Sequence, residues 1–258
     1  MKTTVKLISL TSLLWVVFIL PLGAQDEGKE IFTKAVELLL TGQMELSMDI
    51  QTEDERGRIQ EKGYDILMAS FEGMDKTRML MQKPERAKGI TIVITSYPEE
   101  TGVIEIFTPA NGKIRKMKAT PENMERVGSN FILTEYASLD PSELNIQLLG
   151  QEEVDGKNCY KIQIHDAEAL ESRNTLVYIE AQSNHILRMD FFDAQGNQTH
   201  LTTLGDYQPV EGAGAKVQPM TILAEDLVAG TKTQVQITRV LPRPHVKPEE
   251  FVLQEAAE

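Results

Sequence analysis

From Met44 to Val240 the chain keeps one period. Apolar and polar residues alternate segment after segment, with turn residues between the segments. A period of two puts successive side chains on opposite faces of an extended strand, so each segment predicts a half-buried β-strand. Met44, Leu46, Met48 and Ile50 form the first such row, and Tyr64, Ile66 and Met68 mark one face of the next, over 59–70. Further extended segments follow at 76–82, 89–97, 103–107, 113–118, 144–154, 159–165, 176–180, 186–192, 198–207, 217–227 and 232–240. Asn111-Gly112 and Asp155-Gly156 are hairpin signals, because both positions of a tight hairpin turn favour residues that accept positive φ. Strands and helices do not alternate, so a parallel α/β fold is excluded. Eleven or twelve strands joined by hairpins require an antiparallel sheet that curls strongly or closes.

Two segments depart from this pattern. Residues 27–41 carry Ile31, Ala35 and Leu38 at helical spacing, with Gly42 as a stop, and predict an amphipathic helix. Residues 119–144 hold Pro121, Gly128 and Pro141 and predict a long loop with a short helical turn or two. Loops of that length in compact domains are uncommon and often functional. Near the end, Phe251 offers one aromatic ring for docking.

The first residues have the layout of a secretory signal peptide. Lys2 and Lys6 precede an apolar run over 7–22, and Leu22-Gly23-Ala24 supplies small residues before a polar stretch. Cleavage is expected after Ala24, leaving residues 25–258 as a single soluble domain, in the periplasm if the host is Gram-negative. Losing two lysines takes the net charge from −13 to −15. An acidic chain lacks the basic footprint that nucleic-acid phosphates demand, so no nucleic-acid partner is expected.

Chemistry-bearing patterns are missing. One cysteine, Cys159, makes neither an internal disulfide nor a Cys-rich zinc site. Its place in mid-strand predicts a buried, inert thiol. His165, His185, His200 and His245 stand apart without metal-ligand spacing. There is no phosphate-binding glycine loop, Gly212-Ala213-Gly214 lacks the rest of a dinucleotide fingerprint, and no Gly-x-Ser-x-Gly occurs. The acidic runs Glu53-Asp54-Glu55, Glu152-Glu153 and Glu249-Glu250 fall at turns or edges and predict solvated carboxylates. The expectation is a protein with no cofactor and no metal, and not an enzyme.

Methionine is the compositional oddity. Of eleven, eight lie between positions 44 and 124: Met44, Met48, Met68, Met74, Met79, Met81, Met117 and Met124. An unbranched, polarizable side chain suits an apolar surface that must fit variable acyl chains, although ordinary core filling explains methionine too. Aromatics make up 6% of the chain, which argues against a stacking surface for bases or sugars.

A series of short motifs in order adds a family likeness. Phe107-Thr108-Pro109 ends one strand, Lys113-Ile114-Arg115-Lys116 returns it, and Gly128-Ser129-Asn130-Phe131 leads to Thr134-Glu135-Tyr136. Val154-Asp155-Gly156 and Cys159-Tyr160 follow, then Leu187-Arg188-Met189, Phe192-Asp193, Gly205-Asp206-Tyr207, Pro219-Met220 and Phe251. The sequence resembles the outer-membrane lipoprotein-sorting protein family of the LolA/LolB-like superfamily. It departs in lacking the lid-holding arginine of an early strand, in Phe107 for a tyrosine and in Asn130 for an aspartate.

The resemblance implies a mainly β fold: a strongly curved antiparallel sheet, an incomplete barrel, with an N-terminal helix and a helical or loop plug on its concave side. It implies a periplasmic carrier or chaperone that takes acyl chains of lipoproteins or lipids for transport toward the outer membrane. The expected partner is the acylated cargo, with an inner-membrane transporter as a further candidate on the alternative reading below, and the protein is expected to be a monomer. The alternative is a non-catalytic envelope sensor or interaction module on the same fold. Alternation makes Leu46, Met48, Ile66, Met68, Met79, Met81, Phe107 and Met117 the candidate wall of the acyl site, with 119–144 as a flap. A one-residue change of register would invert the face.

Overall fold

The computed structural model describes residues 23–98, 100–120, 122–124, 144–166 and 173–254. One α-helix, α1 (Gly23–Leu38), precedes β1 (Met44–Glu53), β2 (Ile59–Phe71), β3 (Met74–Lys83), β4 (Thr91–Ser96), β5 (Val103–Thr108) and β6 (Lys113–Lys118). Then follow β7 (Asn145–Val154), β8 (Lys157–Asp166), β9 (Arg173–Glu180), β10 (Ile186–Phe192), β11 (Gln198–Pro209), β12 (Val217–Asp226) and β13 (Thr231–Pro242). Each of the thirteen segments read as extended is a strand, so the expected total of eleven or twelve undercounted those same segments. The helix is displaced from the expected 27–41. It stops at Leu38 because Leu39 bridges to Val217 and the Leu40 amide donates to the Val217 carbonyl. Sheet pairing takes over the backbone groups that another helical turn would use. The expected cleavage point after Ala24 falls in the first turn of α1, and residues 1–22, where most of the expected leader falls, lie outside the described residues. No helix among the described residues is long and apolar enough to cross a membrane.

All thirteen strands join one open sheet in the order β6-β5-β4-β3-β2-β1-β13-β12-β11-β10-β9-β8-β7, antiparallel throughout. Each neighbouring pair is a hairpin of consecutive strands except one: β1 pairs with β13 along ten residues, from Met44 opposite Pro242 to Glu53 opposite Lys232. The first and last strands therefore meet at the middle of the sheet. Its two free edges, β6 and β7, are consecutive in sequence and joined by residues 119–144. Of that connection, a helical turn at 122–124 is described, and the motifs at 128–136 lie outside the described residues. The Asp155-Gly156 turn behaves as read: both residues have positive φ (50° and 76°), and Val154 pairs directly with Lys157.

One face of this curved sheet carries most of the core. Ile222 on β12 sits directly opposite Leu204 on β11 and Val235 on β13, so the two largest apolar clusters share that face and meet at this row. Over β7–β11 the face is filled by α1. Phe32 and Ala35 are fully buried against Ile146, Ile162, Ile164, Val177, Ile179 and Leu204. Gly28 permits the approach: a Cβ there would stand 2.6 Å from the Leu148 backbone nitrogen. Hiding one ring the size of Phe32 stabilises the fold by about 1.5–3 kcal/mol.

The opposite, outer face has smaller clusters. Val246 and Phe251 from the C-terminal segment cover Leu67, Ala69 and Val93, and Phe251 meets Phe71 edge to face at 5.8 Å. Arg78 donates to the Glu250 carbonyl, and Arg243 bridges Glu45 and Glu250 at 2.7 and 2.9 Å. The predicted aromatic dock is therefore also held by charge.

Candidate functional site

The other half of the inner face is built differently. Cross-strand register aligns Met44 with Met68, Leu46 with Ile66, Ile66 with Met79, Met79 with Ile92 and Ile104 with Met117. Residues opposite one another in a ladder share a face, so these rows form one continuous apolar surface across β1–β6. Ile222, Met220, Val235 and Ile237 extend it over β12 and β13. Eight methionines converge there: Met44, Met48, Met68, Met79, Met81, Met117, Met124 and Met220. The described elements lying against this surface are short: Leu40, just after α1, and Ala119 and Met124, just after β6.

Seven of the eight expected wall residues belong to this cluster: Leu46, Met48, Ile66, Met68, Met79, Met81 and Met117. Phe107 does not, and its assignment to the same wall is corrected. Ile106 pairs with Arg115 and packs on the inner cluster, so its neighbour Phe107, opposite Ile114 and Thr91, points to the outer side. An aromatic in an alternating segment was matched to the wrong parity of its strand. Tyr64, Ile92, Ile94 and Ile104 were missed as wall residues, although their alternation is visible in the sequence. The contribution of β12 and β13 was missed for another reason: nothing local tells that the last strand pairs with the first.

The centre of the surface is buried, with Met79 2% and Ile104 0% exposed, while Met48, Met68, Met81 and Met117 are half-buried. Two open, polar grooves lie elsewhere. One of about 410 Å³ lies between the β1–β2 and β12–β13 hairpin tips and is lined by Glu53, Asp54, Glu55, Glu225 and Asp226. Arg58 pairs with Asp54, and Lys232 with Glu225. The other, of about 280 Å³, is lined by charged and amide side chains such as Asp49, Lys83 and Gln234.

Titratable groups are scattered rather than assembled. Cys159 is fully buried on the outer side of β8, and burial pushes its thiol up, which suits a structural residue. His165 contacts Asn174, His185 stacks on Tyr207 with centroids 4.1 Å apart, and His200 lies 3.5 Å from Asp226. Burial lowers the pKa of His185 and raises that of Tyr207, whose hydroxyl donates to the Ile186 carbonyl. No cluster of three or more potential metal ligands occurs among the described residues.

A family model described as "Uncharacterized protein" matches residues 73–255, from the start of β3 to beyond Phe251. The chain belongs to that family. No curated protein matches it. Among solved structures, it is similar to an outer membrane lipoprotein-sorting protein domain from Vibrio parahaemolyticus. The TM-score is 0.69 at 14% identity, over 88% of this chain and 97% of that one. A DUF1329 family protein from Desulfovibrio piger gives 0.68 at 14% identity, over 89% and 97%. A LolA superfamily protein from Nitrosomonas europaea gives 0.59 at 16% identity, over 88% and 97%. At such identities the likeness concerns the fold, which is mainly β, antiparallel, open and LolA-like.

Proposed function

We propose that this chain is a periplasmic carrier that takes the acyl chains of lipoproteins or lipids on its methionine-rich inner face. One observation carries the reading: eight methionines from five strands and one turn converge on a single apolar surface. Core filling alone does not favour methionine over leucine or isoleucine, which specify packing better. A surface that reshapes itself around different chains does favour it. Because the centre of the face is buried, entry works by rotamer change and by displacement of Leu40 and Met124, which lie against it. Hiding about 300 Å² of acyl surface is worth roughly 7 kcal/mol before ordering costs. That balance leaves binding reversible, as a carrier requires.

On this reading residues 1–24 are a leader and 25–258 one domain that acts as a monomer. Cargo arrives from an inner-membrane transporter, and the segment 119–144 acts as the flap. The scattered histidines and the buried thiol support a protein that binds rather than catalyses, and its acidity fits neither nucleic acid nor a bare anionic bilayer.

Native mass spectrometry of residues 25–258, secreted in a Gram-negative host, tests this. The expected result is an acyl species that survives gentle ionisation and leaves on collision. The variant Met81→Glu/Met117→Glu, at half-buried positions, should keep the β spectrum and lose that adduct. A clean apo mass together with no uptake of added acylated peptide would overturn the carrier and leave an interaction module on the same fold.

A further inference from the structure

At the β6 edge the apolar inner face ends in a basic corner. On β6, Lys113 is opposite Thr108 and Arg115 is opposite Ile106, and both positions share the face of Met117. Residues two apart on a strand stand about 7 Å apart, within joint reach of long side chains. Neither side chain makes an ion pair or hydrogen bond among the described residues. On the outer side of the same strand, Lys116 is matched by Glu105 at 2.6 Å. In a chain of net charge −13, β6 thus turns inward two cations that no described side chain compensates, beside Thr108 of β5, at the end of an apolar surface.

We propose that Lys113, Arg115 and Thr108 form a head-group site for phosphate, so that the cargo is an anionic, phosphate-bearing acyl lipid rather than a neutral one. The inference rests on the carrier reading and names the ligand class of that surface. A guanidinium presents a fixed fork of donors that matches phosphate oxygens, and an ammonium and a hydroxyl add donors to the remaining ones. The lipid then lies with its phosphate at the β6 rim and its chains over Ile106, Ile104 and Met79, which follow inward from the rim. Inward charges on an edge strand also serve to block sheet-to-sheet association, so the test must separate the two roles.

Residues 25–258 and the variant Lys113→Gln/Arg115→Gln are titrated with dioleoyl phosphatidylglycerol, dioleoylglycerol and oleate, with the oligomeric state followed in parallel. The wild type should bind phosphatidylglycerol at least tenfold more tightly than dioleoylglycerol, with a preference that weakens in high salt. The variant should lose that preference while keeping its affinity for dioleoylglycerol. Equal wild-type binding of the two diacyl lipids would overturn the head-group site and leave the carrier standing. Oleate binding as dependent on Lys113 and Arg115 as phosphatidylglycerol binding would overturn the assignment to phosphate. A variant that self-associates with its lipid preference intact would show edge protection instead. Binding of none of the three would defeat the carrier reading itself.

Discussion

The inner face of the sheet is one surface with two compositions. Over β7–β11 it is mostly β-branched, with Ile146, Ile162, Ile164, Val177, Ile179 and Ile186 against the single methionine Met189, and its partner is a helix of the same chain. Over β1–β6, β12 and β13 it is rich in methionine, and the described segments against it are a few residues long. β-Branched side chains have few rotamers and fit one partner well. Methionine has three flexible bonds and fits many. The contrast teaches that one sheet can be stiff where its partner is permanent and adaptable where its partner changes.

The largest test of the contrast removes the permanent partner. Phe32→Ala should destabilise the protein by about 3–5 kcal/mol, read as a lower urea midpoint, since a fully buried ring leaves a cavity in a rigid wall. Met117→Ala, on the half-buried adaptable side, should cost well under half as much. Equal losses would break the distinction. A gentler test changes adaptability alone. Met48→Leu, Met81→Leu and Met117→Leu conserve volume and should each cost less than about 1.5 kcal/mol. Together they should narrow the range of acyl lengths bound, measured by competition with fatty acids of graded length.

The smallest expected effect lies on the stiff side. His185 is held by burial below its usual pKa, so the unfolded chain takes up its proton first as pH falls through about 6.5. Stability is therefore lost as pH drops from 7.5 and levels off once the folded ring also protonates. His185→Gln should make that fall in melting temperature smaller, read by thermal melts at pH 7.5 and 5.5.

Much of this was legible before any coordinates, for a physical reason. Strands report themselves through period two, and the Asp155-Gly156 turn through residues that accept positive φ. The methionine stripe was visible because Met79 and Met81 show their shared face without reference to anything else. What stayed hidden was non-local. Phe107 was misplaced because parity depends on the register of the neighbouring strand. The pairing of β1 with β13 joins residues almost two hundred positions apart, and no local pattern encodes it. The end of α1 was set by a bridge to Val217, equally remote.

That central seam has a consequence for how the chain can be divided. A cut within residues 119–144 severs the connection between the two sheet edges and breaks no ladder, because every hairpin stays whole on one side of it. The fragments would still need each other. The N-terminal piece owns the helix that fills the C-terminal piece's face, and the C-terminal piece supplies β12 and β13 to the methionine surface. Expressed from separate genes, neither half has its own complete interior, and the two should complement only as a pair. The molecule can be split in its genetics while remaining indivisible in its folding.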